Sequence, residues 1–418
     1  MNTDKDYLVT QNKSFCVLPW IHIYVDPSGK PSPCCISTYA YDDTLTVNSK
    51  TNSLIELVNA PHMKQLRVDM MNGVLHPSCK LCHQSEVRGA NSPRYSANSQ
   101  HADRIDISTT KPDGELVDFK MRYLDVRFSN ICNFKCRTCG PGFSSMWEQE
   151  EHRYNPTIPI KPKNNRDEFV QEVVDQVANL DVAYFAGGEP LITEEHYILL
   201  EEMIRQNRTD IFLRYNTNLS NLNFKDKDLL GLWKHFKNDV YVYASIVHYG
   251  DRAEYIRHGT DWGKIESNFL AVRDSPGVQL QTNTVLSIFN CMTIYEFYQY
   301  MYDRNLFRRD DRSNSIYTLL GPDCFDANIL PIIYKGRAIE NLQKLITLTE
   351  SIGADCPFPG RVADKVKVLT DALSWYIPDS STWEQHKELF KSETFRIDKI
   401  RGESFVKTFP ELAGLLDE

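Results

Sequence analysis

The sequence predicts an α/β protein: a partial (β/α)6 TIM-like barrel, preceded by a small cysteine-rich module and followed by a mainly helical region. Three observations lead there. Six short apolar runs alternate with helical patterns between about residues 120 and 330, and such alternation is the mark of a parallel sheet. Eleven cysteines, an odd number, fall mostly in two tight clusters, 16–82 and 132–139. The 418 residues are 41% hydrophobic and 25% charged, enough for a substantial core and too apolar for wholesale disorder. The expected segments are 1–115 for the module, 116–330 for the barrel and 331–418 for the helical extension.

Charge and hydropathy exclude several classes of function. The net charge is −9 and no long basic run occurs, so a nucleic acid held by phosphate neutralisation is not an expected partner. No stretch of about 20 apolar residues exists, so no membrane span is expected. The polar start MNTDKDYLVTQNK lacks an apolar signal core, which suggests a cytoplasmic chain. Disulfides are disfavoured there, so clustered cysteines point to metal or redox chemistry.

In the module, the apolar run Val17–Val25 leads into Asp26-Pro27-Ser28-Gly29-Lys30, a turn signal that predicts a hairpin. A helical pattern covers Ser53–Met71, with Pro61 dividing it and Gly73 stopping it. Gly89–Asp118 is polar and aperiodic and reads as loop or linker. In the barrel, the expected strands are Met121–Phe128, Val182–Ala186, Ile211–Tyr215, Val240–Ile246, Val278–Val285 and Ser315–Leu320. The expected helices are Asp167–Asn179, Glu194–Arg205, Lys227–Phe236, Trp262–Val272 and Met292–Arg304. Beyond 330 the runs RAIENLQKLITLTESIG and KVKVLTDALSWYI are helical by pattern.

The first barrel strand, YLDVRFS, runs directly into Cys132-Asn-Phe-Lys-Cys136-Arg-Thr-Cys139. Catalytic loops of such barrels sit at the C-terminal ends of strands. Four thiolates would close a tetrahedral zinc site or an iron–sulfur cluster; three leave one metal position open. A zinc site completed by His152 or another distant ligand is the structural alternative. The next strand, DVAYFA, ends in Gly187-Gly188-Glu189-Pro190. Paired glycines admit a ligand close to the backbone, and a carboxylate there can hold a cation.

Together, Cys132, Cys136, Cys139 and the Gly187–Pro190 turn resemble the signature of radical S-adenosylmethionine (SAM) enzymes, over roughly residues 120–330. The resemblance implies that the three cysteines hold a [4Fe-4S] cluster whose fourth iron is chelated by SAM. One electron would then cleave the sulfonium and give a 5′-deoxyadenosyl radical that abstracts hydrogen from substrate. It also implies that Gly187, Gly188, Glu189 and Pro190 receive the methionine amino group, by charge-assisted hydrogen bonding. Less closely, Asn216-Thr217-Asn218 is similar to the family's Thr-Asn-Gly turn, Ser245 stands where relatives place a ribose contact, and Arg257 matches an Arg that pairs with the SAM carboxylate. Two features depart from the pattern. Thr138 stands where an aromatic residue usually precedes the third cysteine. Val247-His248-Tyr249-Gly250 replaces an Asp-Gly pair, leaving His248 either a substrate-facing group or a structural histidine.

Cys16 and Cys34 flank the hairpin turn, and Cys79 and Cys82 form a C-x2-C. This spacing resembles the twitch and SPASM auxiliary-cluster modules. The longer SPASM continuation is not found after Cys82, so the resemblance implies the shorter form, with one auxiliary [4Fe-4S] cluster on Cys16, Cys34, Cys79 and Cys82. Cys35 adjoins Cys34 and competes for that place. In relatives the module follows the barrel; here it comes first. Four thiolates leave no open iron, which suits electron transfer. A structural zinc knuckle on the same cysteines is the alternative. Glu86, Arg88, Ser92 and Arg94 follow Cys82, either lining a substrate path or forming a solvated loop.

The expectation is therefore a radical SAM enzyme acting on a peptide or small molecule, supplied with electrons by a donor such as flavodoxin or ferredoxin. The competing readings are a zinc-binding interaction protein and a catalytically degenerate SAM-binding protein.

Overall fold

The computed structural model describes residues 3–41, 45–87, 91–160, 166–307, 314–319, 321–353 and 383–417, with scattered positions between 363 and 373. Cys356, Arg88 and much of the expected KVKVLTDALSWYI helix lie outside the described residues. In chain order the strands are β1 (His22–Val25), β2 (Pro31–Ser32), β3 (Tyr123–Val126), β4 (Lys135–Cys136), β5 (Val182–Phe185), β6 (Phe212–Thr217), β7 (Asn223–Phe224), β8 (Lys227–Asp228), β9 (Val240–Ala244), β10 (Arg257–His258), β11 (Val278–Leu286) and β12 (Asn314–Thr318).

The chain forms two compact units, each assembled from separate stretches. The first comprises Met1–Ile131, His152–Arg214 and Gly231–Val240. Its strands follow the order β5-β3-β1-β2. β1 and β2 make the expected antiparallel hairpin, with Tyr24 opposite Ser32. Gly29 closes its turn at φ +94°, and the Asp26 carboxylate accepts from the Ser28 and Lys30 N–H groups at 2.8 and 2.9 Å. β1 then pairs in parallel with β3, His22 opposite Tyr123 and Tyr24 opposite Asp125. The hairpin strand thus extends the parallel sheet, a pairing that joins residues on the two sides of position 115. β3 pairs in parallel with β5.

Local chemistry accounts for the helices. Ser53 and Glu56 form a reciprocal capping box before Leu54–Val58. Pro61 opens the second helix, Pro61–Met71, at its first position, where a missing N–H costs nothing. Gly73 follows at φ +75°. Glu194–Arg205 starts on two acids and ends on a cation, complementing the helix dipole. Residues expected as linker contain a further helix, Pro93–His101, with Ser92 accepting from Tyr95 N–H at 3.1 Å. The Ser-Pro pair is an ordinary helix start; the polar composition hid it.

The second unit comprises Cys132–Glu151, Tyr215–Leu230 and Tyr241–Glu418. Its strands include β9, β11 and β12, and β11 pairs in parallel with β12. In β11 the residues alternate buried and half-buried over nine positions, the period-2 pattern of a pleated strand. The helix expected over 227–236 is shorter, Leu229–Trp233, because Lys227-Asp228 turns back as β8 against β7. A helix that the sequence did not predict, Ser145–Tyr154, begins six residues after the third loop cysteine. The C-terminal region contributes Ile332–Gly353 and Trp383–Arg401. Among the described residues no helix is long and apolar enough to cross a membrane.

Candidate functional site

The hairpin, the 3-10 turn Pro77–Cys79 and the helix Lys80–Val87 that continues it bring the module's thiols together. Cys16, Cys34, Cys79 and Cys82 line one cavity, with Met70 and Arg94 also on its wall. Burial pushes the Cys16 thiol up to about 12 and Cys79 to about 11, and raises Cys34 and Cys82 as well. Neighbouring thiols add to three of the rises: Cys79 and Cys82 act on Cys16, Cys82 on Cys79, and Cys35, Cys16 and Cys79 on Cys34, while Glu86 adds to that of Cys82. Four mutually repelling thiolates in an apolar pocket need a cationic centre to deprotonate them together, so the donor set fits an iron–sulfur cluster. Cys35 stands differently. It is exposed and does not line that cavity, and its thiol, raised by partial desolvation, feels Asp125 and Arg127 next. Among the described residues no three His, Cys, Asp or Glu side chains are already arranged around a single-ion position.

The Gly187–Pro190 turn follows β5 and is built against the β3 loop. A Cβ on Gly188 would lie 2.0 Å from the Ile131 carbonyl oxygen, far inside contact distance. Glu189 N–H donates to that same oxygen at 2.7 Å, and Leu191 N–H donates to Glu189 Oε1 at 3.1 Å. Gly187 takes φ +127°, with Arg127 Cδ 3.2 Å from where its Cβ would be. Ile131 is the residue immediately before Cys132 in the chain.

One sheet face of the first unit is unexpectedly polar. Tyr24, Asp125 and Tyr184 stand on neighbouring strands β1, β3 and β5. Asp125 and Arg127 are 2% and 6% exposed and approach to 2.7 Å. The guanidinium lies 4.9 Å from the Tyr184 ring centre and 5.7 Å from that of Tyr24. Burial lifts the Asp125 carboxyl to about 6. Arg127 Nε has no hydrogen-bond partner. A buried, incompletely satisfied ion pair calls for an explanation, and functional sites and structural ion-pair networks both supply one. The residues DVR were readable as strand, but not as a charged pair.

In the second unit, the loop Cys132–Cys139 is held at many points. Phe134 N–H donates to Cys132 Sγ at 3.5 Å. Cys132 N–H donates to Ser145 Oγ at 3.2 Å, Ser144 Oγ to the Phe134 carbonyl at 2.6 Å, and Trp147 Nε1 to the Cys136 carbonyl at 2.7 Å. The helix missed by the sequence reading is therefore the brace of the loop. The serine pair ahead of an acidic run was its available signal. β4, inside the loop, pairs with β10, Cys136 opposite Arg257. Burial raises the Cys139 thiol to about 11; Cys136 adds to the rise and Arg257 opposes it. Arg137, between the cysteines, is fully buried, 3.7 Å from the Tyr255 ring centre, and donates to Asp398 at 2.6 Å and Glu403 at 2.5 Å.

The other expected residues divide. Arg257 lies beside the cysteine loop, as described. Asn218 donates to Asn133 Oδ1 at 2.9 Å, and Asn133 donates to Ser220 Oγ at 2.9 Å, so Asn218 steadies the loop between Cys132 and Cys136. Ser245 follows β9 half-buried, its N–H donating to the Thr217 carbonyl at 2.7 Å. His248 is buried, lies 3.1 Å from Thr293 Oγ1 and accepts from Tyr249 N–H at 3.0 Å. Burial lowers it to about 3, which supports the structural alternative. Glu86, Ser92 and Arg94 form a hydrogen-bonded network, with Ser92 and Arg94 buried and Glu86 half-buried, rather than a solvated loop.

Against known solved structures, three similarities stand out by description. The structure described as native anSMEcpe with bound AdoMet and Cp18Cys peptide shares 16% identity at TM-score 0.38, covering 54% of this chain and 58% of that one. Native anSMEcpe with bound AdoMet shares 17% at TM-score 0.39, covering 54% and 59%. Streptococcus suis SuiB bound to S-adenosylmethionine shares 13% at TM-score 0.36, covering 73% and 66%. This chain thus matches under two thirds of the length of each anSMEcpe structure. No curated protein matches the sequence. A family model described as SPASM, an iron-sulfur cluster-binding domain, matches residues 16–83, the span that carries all four cavity cysteines.

Proposed function

We propose that the chain is a radical SAM enzyme with one auxiliary iron–sulfur cluster. The observation that carries the reading is the Gly187-Gly188-Glu189-Pro190 turn, pressed against the Ile131 carbonyl closer than any side chain permits, on the residue preceding the three-cysteine loop. A [4Fe-4S] cluster on Cys132, Cys136 and Cys139 would supply one electron to the sulfonium of SAM, yielding the 5′-deoxyadenosyl radical that takes hydrogen from substrate. The chain's own residues do the positioning. Phe134 N–H steadies the Cys132 sulfur, while Ser144, Ser145 and Trp147 fix the loop's backbone. Glu189, with its N–H anchored, offers a carboxylate to the SAM ammonium. Arg257, pinned by the β4–β10 pairing, offers its fork to the SAM carboxylate, and Ser245 a hydroxyl to the ribose. Cys16, Cys34, Cys79 and Cys82 would hold the auxiliary cluster and relay electrons.

The substrate is a peptide or a small molecule, the donor a flavodoxin or ferredoxin, and the setting the cytoplasm. The test is anaerobic incubation of reduced, iron-loaded protein with SAM, reading 5′-deoxyadenosine by chromatography. The nucleoside should form with the native chain and not with the Cys132→Ala/Cys136→Ala/Cys139→Ala variant. Fully loaded protein that forms none would overturn the reading, as would a colourless protein carrying zinc.

A further inference from the structure

Arg94 sits in the first turn of the helix Pro93–His101 and is 4% exposed. Its Nε and Nη2 donate to the two oxygens of Glu86 at 2.9 and 2.7 Å, and its Nη1 donates to the Phe15 carbonyl at 2.9 Å. Ser92 Oγ donates to Glu86 at 2.5 Å. The same arginine lies on the wall of the cavity lined by Cys16, Cys34, Cys79 and Cys82, and its charge is felt at Cys16, Cys79 and Cys82. Its backbone N–H serves the Cys82 sulfur. Phe15 directly precedes Cys16, and Glu86 is four residues beyond Cys82. One side chain therefore ties both halves of the thiol set together. It also places a buried cation, partly neutralised by one carboxylate, against them.

We propose that the Arg94–Glu86 pair sets the electron affinity of the auxiliary cluster. This rests on the cluster assigned above to the four module cysteines. On four thiolates, a [4Fe-4S]2+ core taking one electron goes from an overall charge of −2 to −3, with no bond made or broken and no proton moved. A buried guanidinium stabilises the more negative state and raises the potential; the Glu86 carboxylate opposes it. Arg94 is a positioning and tuning residue: it meets no substrate and acts through the cluster.

Opposite signs make the test decisive. In the Cys132→Ala/Cys136→Ala/Cys139→Ala background only the auxiliary cluster remains to be titrated, with dithionite as the electron source and electron paramagnetic resonance as the readout. At one fixed solution potential, Arg94→Gln should lower the reduced-to-oxidised ratio at least tenfold, equivalent to about 59 mV for one electron. Glu86→Gln should raise it by a similar factor. Arg94→Lys keeps the charge and should stay near the native ratio. The Arg94→Gln/Glu86→Gln pair should lie between the singles, and it keeps the test open should Arg94→Gln fail to fold. Shifts of the same sign in both single variants, or none, overturn the proposal. If the background variant holds no iron, the auxiliary-cluster reading itself fails.

Discussion

Gly188→Ala concentrates the account in one methyl group. The added Cβ would lie 2.0 Å from the Ile131 carbonyl oxygen, 2.7 Å from its carbon and 2.9 Å from the Asn130 carbonyl carbon. Ordinary contact is about 3.5 Å, so the turn or the loop must retreat by more than an ångström. The neighbours are backbone atoms, which cannot rotate away. Overpacking of this kind costs about 1–3 kcal/mol. The Glu189 N–H bond to the same oxygen, 2.7 Å long, would stretch or break for about 1 kcal/mol more. The sum, about 2–4 kcal/mol, corresponds to roughly 5–15 °C in Tm for a unit of this size. Moving Glu189 by an ångström should also weaken SAM binding by well over tenfold. Gly140→Ala is the control, because nothing lies within 4 Å of its Cβ position. Differential scanning calorimetry and SAM titration of the iron-loaded protein give both readouts. If Gly188→Ala melts and binds like the native chain, the close approach to the Ile131 carbonyl neither holds the turn nor positions Glu189.

Three further predictions follow from other parts of the molecule. Cys34→Ala should remove about four irons from the loaded chain and Cys35→Ala none, because Cys34 shares the cavity with the other three thiols and Cys35 does not; iron analysis with the reverse result would exchange their roles. Arg137→Gln leaves Asp398 and Glu403 facing each other without their shared cation, and should cost about 3–5 kcal/mol in urea denaturation; a loss under 1 kcal/mol would mean that the C-terminal segment does not depend on it. Stability should also fall as pH drops below 6.5. Burial lowers His22 to about 4 and His196 and His248 to about 3, so the unfolded chain binds protons the fold refuses. The stability is whole above the unfolded histidine value and is lost as pH falls through the window between 6.5 and about 3. Asp125, raised to about 6, works the other way between 6 and its unfolded value, offsetting one histidine. The net slope is about 3 kcal/mol per pH unit, and denaturant midpoints that stay level from pH 7 to pH 5 would contradict it.

The strands were legible because short apolar runs alternate with helical stretches, two of them fully or almost fully buried (β1, β3) and others buried at every second residue (β9, β11), and the site was legible because cysteine and glycine spacings are short and chemically restrictive. What escaped was set by distance in the chain. β1 pairs with β3 across about a hundred residues, and no local pattern announces a partner that far away. Asp125 and Arg127 read as alternating strand positions; only the sheet shows them buried against Tyr24 and Tyr184. Nothing near Arg137 in the chain announces its partners, Asp398 and Glu403, some 260 residues on. The helices Pro93–His101 and Ser145–Tyr154 were hidden for a different reason. Both are polar, with little periodicity, and owe their existence to serine caps and to the elements they brace.

The cluster proposed on Cys132, Cys136 and Cys139 has one iron with a free corner. The most direct measurement takes the Cys16→Ala/Cys34→Ala/Cys79→Ala/Cys82→Ala variant, loaded with iron and reduced, and records its electron paramagnetic resonance spectrum before and after adding SAM. The variant should hold about four irons per chain and give a signal whose g-values move when SAM arrives. A spectrum indifferent to SAM, or a variant that holds zinc in place of iron, would contradict it.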